Sequence, residues 1–161
     1  MKPARSSALL GLAFLAACGA LEPGSVPEAE LPDPTTLART GWSNDWLICP
    51  DGACAAPVSA PSPVYPVPPA RLFDAWRELL ATQPRTTVIG VDPTRLLILA
   101  QDRTPLLGFV DTICIRVLPA DATGSTFAAY SRSNIGLGDL GTNRKRLEGW
   151  IGVLAVGGPG S

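Results

Sequence analysis

Histidine is missing from the 161 residues, and its absence removes more chemistry than any residue present supplies. No Ser-His-Asp or Cys-His catalytic set can be assembled within this chain, and no HExxH zinc site can exist. Basic residues are also scarce. The formal charge is −1, from 13 Lys and Arg against 14 Asp and Glu. If residues 1–17 are removed, Lys2 and Arg5 go with them, which leaves 11 basic against 14 acidic side chains, or −3, with Lys145 the one lysine. Such a chain lacks the positive field that nucleic-acid binding requires, so no nucleic-acid partner is expected. Long apolar runs are lacking as well. The ten residues 8–17 (ALLGLAFLAA) are about half of the roughly 20 that a bilayer crossing needs.

That short run has the form of an export signal. Lys2 and Arg5 precede it, and it ends in Leu15-Ala16-Ala17-Cys18. The segment resembles the lipobox of bacterial lipoproteins, which implies diacylglyceryl transfer to the Cys18 sulfur and cleavage before it. The rival reading is an ordinary secretory signal with a cysteine near its cleavage site. On the lipobox reading, residues 1–17 are the signal peptide and Cys18 is the lipidation site. The chain is then a lipid-anchored protein of the cell envelope that faces the periplasm. Gly19 follows the cysteine where an acid would signal inner-membrane retention, so the lean is toward the outer membrane.

Seventeen prolines and sixteen glycines are concentrated in a few stretches. Residues 18–40, with Pro23, Pro27, Pro32 and Pro34, read as a lipidated tether or as an extended arm packed on the domain near Leu31 and Leu37. The Cys49-Pro50-Asp51-Gly52-Ala53-Cys54 segment carries a Pro-Asp-Gly turn signature, and in an exported chain it predicts a Cys49–Cys54 disulfide. Free thiols are one alternative and a zinc half-site another, although only Cys114 remains as a further soft ligand. Residues 55–69 hold prolines too dense for a helix or a central strand. The segment is a spacer, a ligand for an aromatic groove, or a strap docked through Val64, Tyr65 and Val67.

Residues 70–81 form an amphipathic helix, with Leu72, Phe73, Trp76, Leu79 and Leu80 on one face and Arg71, Asp74 and Glu78 on the other. Four strands follow, at Thr86–Val91, Leu96–Gln101, Phe109–Leu118 and Ser125–Ser133, with Asp92-Pro93-Thr94 and Asp121-Ala122-Thr123-Gly124 as turns. A second helix is predicted over 140–154, with Leu140, Leu147, Ile151 and Leu154 as its stripe, Trp150 on the flank and Asp139 or Thr142 as its cap. The expected fold is α+β, a two-layer sandwich of an antiparallel sheet of about four strands with two packed helices. The globular domain would span 41–156, before a disordered tail at 157–161.

The densest polar signal lies in residues 130–146 (YSRSNIGLGDLGTNRKR). Ser131, Arg132, Ser133, Asp139, Asn143 and Arg144 are the ligand-binding candidates, since guanidiniums and helix-start N–H groups suit an anionic group. The structural alternative has Asp139 pairing with Arg132 or Arg144 and capping the helix, which would lock the strand-to-helix corner. The same stretch carries a family likeness. Pro84-Arg85, Gly108-Phe109-Val110-Asp111, Tyr130-Ser131-Arg132-Ser133, Gly138-Asp139-Leu140-Gly141, Asn143-Arg144 and Arg146, together with Ser62-Pro63 and the 70–81 helix, resemble the domain of unknown function 1499 family of bacterial envelope and plastid proteins. That likeness implies a fold and a location and brings no established activity. The reading is thus a membrane-anchored, non-catalytic module that binds a small amphipathic or anionic ligand or maintains the envelope, with no metal and no cofactor expected. The opposing class is a carboxylate-dependent periplasmic enzyme using Asp111 or Asp139 as base.

Overall fold

A computed structural model describes residues 22–39, 43–136 and 138–156. The expected signal peptide, Cys18 and the 157–161 tail lie outside the described residues. The first helix, α1 (Pro69–Thr82), starts where proline is tolerated, with Pro68 at its cap position and Pro69 opening its first turn. All five apolar residues of the predicted stripe are buried. Trp76 meets Phe127 edge-on at 5.0 Å between ring centroids, a favoured aromatic geometry.

The sheet has six strands: β1 (Asp45–Cys49), β2 (Ala60–Pro61), β3 (Thr86–Asp92), β4 (Leu97–Arg103), β5 (Val110–Pro119) and β6 (Ser125–Ser133). Their spatial order is β2-β1-β6-β5-β4-β3, with β1 and β2 parallel and all other neighbours antiparallel. The four strands expected from sequence form the β3–β6 meander, and Ser125–Ser133 keeps its expected limits. The expectation of about four antiparallel strands is corrected by β1 and β2, which make the sheet mixed. Strand β1 escapes a search for alternation because Leu47, Ile48 and Cys49 are buried in succession, the pattern of a strand covered on both faces.

Two apolar layers flank the sheet. On one face Ile48, Ile98, Ile113, Ile115, Phe127 and Ala129 pack against α1 and against α2 (Thr142–Val156), whose Leu147, Trp150 and Leu154 are buried. On the other face Leu31 closes over Ile89, Leu97, Leu99 and Cys114. Beside it Leu37, Cys54 and Ala56 close over Leu47, Ala128 and Tyr130. This second cover is the arm of residues 26–39 together with the Cys49–Cys54 loop, whose disulfide is formed. An Asp33–Arg116 ion pair pins the arm, and the Ala55 N–H donates to Thr35 O at 2.8 Å. Of the two readings for 18–40, the packed arm near Leu31 and Leu37 describes residues 26–39, so folded structure begins upstream of residue 41.

The proline-rich segment docks along the edge of β1 and at the start of β6. Tyr65 and Ser125 exchange two backbone hydrogen bonds of 2.8 and 2.9 Å, and Val67 packs on the helix-side core. Val64, expected to share in that docking, is exposed. Two further expectations on apolar residues are corrected. Phe109 precedes β5 and is exposed, and Leu140 lies before α2 with φ of 53° and is exposed. The turn that Gly141 continues at φ 76° places Leu140 outside the helical wheel.

A closed polar hub as the candidate functional site

Helix α2 crosses the end of the sheet where β1 and β3 begin, β5 begins and β4 and β6 end. Its inner face brings Arg146 between strands. Arg146 Nη2 donates to Asp111 Oδ2 at 2.6 Å and to Asp102 Oδ2 at 2.9 Å. Asp102 and Asp111 are cross-strand partners in the β4–β5 ladder, which is why one guanidinium reaches both. Arg146 Nη1 donates to Ser131 Oγ at 2.9 Å and to Asn143 Oδ1 at 2.8 Å. Thr86 Oγ1 donates to the other oxygen of Asp102 at 2.8 Å.

Asn143 links this hub to the chain entry of the helix. Its Oδ1 also accepts from Ser131 Oγ at 2.6 Å, and its Nδ2 donates to Asp139 Oδ2 at 2.6 Å, to Asn44 O at 3.0 Å and to Ser133 Oγ at 3.1 Å. Asp139 accepts from the N–H groups of Asn143 (2.8 Å) and Gly141 (2.9 Å), so it caps α2 as expected from sequence. The predicted ion pair of Asp139 with Arg132 or Arg144 is not formed.

Burial governs the electrostatics of this hub. Asp111 is fully buried, and desolvation pushes its carboxyl above the usual carboxylate range although Arg146 and the Ser133 hydroxyl pull the other way. Its Oδ1 has no hydrogen-bond partner. The Arg146 side chain is 7% exposed, and Ser131 and Asn143 are wholly buried. The arrangement thus holds charge inside the protein, and no substrate group can reach it without an opening of the corner.

The six ligand-binding candidates divide between two faces. Ser131, Ser133, Asp139 and Asn143 meet at the hub. Arg132 alternates to the opposite face of β6, beside Cys114 and Tyr130, where burial pushes both groups up and the Arg132 charge offsets only part of that. Arg144 is exposed, pairs with Glu148 at 2.8 Å and stacks over the Trp46 ring at 5.2 Å. It thus meets the sheet from the solvent side, at Trp46 of β1, whereas Arg146 enters between the strands. The reason is the wheel. Weighting half-buried Ile151 and leaving Asn143 off the stripe turns the inner face toward Arg144. Centred on Asn143, Leu147 and Trp150, the same wheel sets Arg146 about 60° from the middle and Arg144 about 100° away.

A second polar cluster lies under the arm. Tyr130 Oη donates to Asp45 Oδ2 at 2.8 Å, and Arg39 pairs with Asp45 while donating to Pro57 O at 2.8 Å. Burial and the Asp45 charge push the Tyr130 hydroxyl upward. Beside this cluster Thr36, Leu37, Ala38, Arg39, Ala55, Ala56 and Pro57 line a recess of about 590 Å³. Among the described residues no group of three or more carboxylate or thiol side chains is placed to hold a metal ion.

Comparison with known proteins agrees with the residue pattern. The model of a family described as protein of unknown function (DUF1499) matches residues 30–154, and the chain belongs to that family. No curated protein matches it significantly.

Proposed function

We propose that this DUF1499-family chain is a lipoprotein of the bacterial cell envelope, anchored through Cys18, whose periplasm-facing domain is a non-catalytic module that binds a small amphipathic molecule or maintains the envelope. The observation that carries the anchor is Leu15-Ala16-Ala17-Cys18 at the end of a ten-residue apolar run behind Lys2 and Arg5. Stable anchoring takes more than one acyl chain, and a lipidated amino-terminal cysteine supplies several. No helix among the described residues is long and apolar enough to cross a membrane.

The closed hub supports a non-catalytic reading, since its carboxylates and guanidinium are spent on one another. The recess walled by Leu37, Ala55, Ala56 and Pro57 has a size usual for small-ligand sites, and its largely apolar wall, with Thr36 at the margin, suits an amphipathic molecule. The enzymatic alternative draws on the raised carboxyl of Asp111, but burial of that group argues against contact with a substrate.

The test is membrane fractionation with intact-mass analysis of the full chain and of Cys18→Ser. The expected result is a membrane-bound, acylated wild type that begins at Cys18 and a non-acylated variant released from membranes on processing. A wild-type protein with its initiator methionine and no acyl mass overturns the reading.

A further inference from the structure

The end of the sheet that carries the hub also carries an apolar tip. Strand register puts the β4–β5 hairpin and the β6–α2 loop side by side there, because Arg103 pairs with Val110 and Asp111 pairs with Ser133. Leu106 and Leu107 on the hairpin are 91% and 65% exposed, and Leu140 on the neighbouring loop is 97% exposed. Phe109 and Ile135 are exposed between them. Five of the eight exposed large hydrophobic residues found among the described residues therefore lie at this one end. Contiguous apolar exposure of this kind marks a contact surface.

The hairpin does not owe its exposure to a lack of internal bonds. The Thr104 N–H donates to Phe109 O at 2.8 Å, the Gly108 N–H donates to Thr104 O at 3.0 Å and the Phe109 N–H donates to Thr104 Oγ1 at 2.9 Å. The loop closes on itself through Thr104 and presents its leucines outward.

Charge identifies the partner. Arg85, Arg103, Arg144 and Lys145 are exposed around the tip. The acids near them are engaged: Asp102 and Asp111 in the hub, Asp139 at the helix cap, and Glu148 with Arg144. With Asp102, Asp111, Asp139 and Glu148 counted against Arg85, Arg103, Arg144, Lys145 and Arg146, this end is +1, whereas the chain from Cys18 onward is −3. At the opposite end, that of the Asp92-Pro93-Thr94-Arg95 and Asp121–Gly124 turns, Val64 beside the start of β6 is the exposed large hydrophobic residue found among the described residues. An apolar tip ringed by cations on an otherwise acidic protein is complementary to an anionic bilayer surface.

The tether reaches. The Val26 N–H bonds to Ile89 O at 3.1 Å, and Ile89 is three residues from the Thr86 end of β3. The tip lies roughly 20 Å from Val26 at ~3.3 Å per strand residue. The Glu22–Ser25 turn, closed by the Ser25 N–H on Glu22 O at 3.1 Å, covers less than about 7 Å, and with extended steps on either side of it Cys18 can stand up to about 24 Å from Val26.

We propose that the β4–β5 hairpin and the β6–α2 loop form a membrane-contact tip that inserts Leu106, Leu107 and Leu140 into a leaflet rich in anionic phospholipid, orienting the domain on the bilayer that bears its anchor. The proposal rests on the lipoprotein reading for its membrane, and acylation is read independently by mass. Full-length acylated protein, with Leu106→Cys, Leu140→Cys or, at the far end, Thr94→Cys, is labelled with an environment-sensitive fluorophore. Each form is reconstituted into phosphatidylethanolamine–phosphatidylglycerol vesicles carrying nitroxide acyl chains.

The labels at 106 and 140 are expected to shift to the blue and to be quenched, and the label at 94 to do neither. Arg103→Gln should lower the ratio of inserted to free tip roughly five-fold, the factor that about 1 kcal/mol per surface cation converts to. Labels at 106 and 140 as hydrated as the one at 94 overturn the proposal while leaving the anchor intact. Blue emission that the nitroxide does not reach means that the tip meets protein, and also overturns it. If the mass shows no acylation, the anchor reading fails and the labelled full chain is added to the same vesicles. Quenching at 106 then sustains the tip, and its absence refutes it.

Discussion

Removing Arg146 by Arg146→Met takes away the one guanidinium that serves Asp102, Asp111, Ser131 and Asn143 together. Methionine fills most of the volume, so the loss is electrostatic rather than steric. Left without its partner, Asp111 would take up a proton. At pH 7 that costs at most about 4 kcal/mol, from 1.36 kcal/mol per unit between pH 7 and an unperturbed value near 3.9, the part already present in the raised wild-type carboxyl being subtracted from it. At pH 5 the same arithmetic gives about 1.5 kcal/mol. Lost hydrogen bonding to Ser131 and Asn143 adds about 1 kcal/mol at either pH.

The total is therefore at most about 5 kcal/mol at pH 7 and at most about 2.5 kcal/mol at pH 5, close to the usual range for a broken buried pair. The sign follows from the direction of the shift. Asp111 already has a raised folded-state value, and Arg146→Met raises it further. Its contribution is then fully present below the unfolded value and is lost as pH rises through the folded one. Urea unfolding followed by tryptophan fluorescence at the two pH values measures both numbers, with Arg144→Met as a control expected to change stability by less than about 0.5 kcal/mol. A penalty below about 1 kcal/mol at pH 7, or one that grows on acidification, refutes the account of the hub.

Three further outcomes are expected. A Cβ added at Gly90 would lie 2.3 Å from Leu31 Cδ2, so Gly90→Ala should destabilise by roughly 1–3 kcal/mol, and Leu31→Val in the same chain should recover part of it in the same urea assay. Reducing Cys49–Cys54 closes off about 2 kcal/mol of chain-entropy stabilisation for so short a loop, read as a lowered urea midpoint in dithiothreitol. The Cys114 thiol, pushed up to about 12 by burial, should resist iodoacetamide at pH 8 in the folded protein and react when urea unfolds it, as followed by mass.

Local chemistry was legible in the sequence where it acts over a few residues. The α1 stripe, the Asp92 and Asp121 turns and the Asp139 cap each depend on spacing within one element, and each has the expected place. What was not legible depends on partners far along the chain. Strand β1 can be apolar on both faces because Leu37 of the arm, with Cys54 and Ala56 beyond the strand, covers one of them. The hub pairs Asp102 and Asp111 by register and adds Arg146 from a third element, and no run of sequence brings those three together. Counting Ile151 in the stripe and leaving Asn143 out of it was enough to rotate α2 and exchange Arg144 for Arg146. The motif around Ser131, Ser133 and Asn143 did point to the correct corner. Its cations were misplaced because Arg132 alternates away in the strand and Arg144 faces water.

The two outer strands decide how the molecule behaves beside its own copies. Strand β2 is two residues long and ends in Pro61, which has no N–H to offer, while β3 is broken by a bulge at Val88–Gly90 and has its Ile89 carbonyl taken by Val26. Neither margin presents a straight row of free backbone donors and acceptors onto which another chain could zip. Proteins concentrated side by side are the ones most exposed to such runaway stacking, and this sheet is finished off at both borders against it.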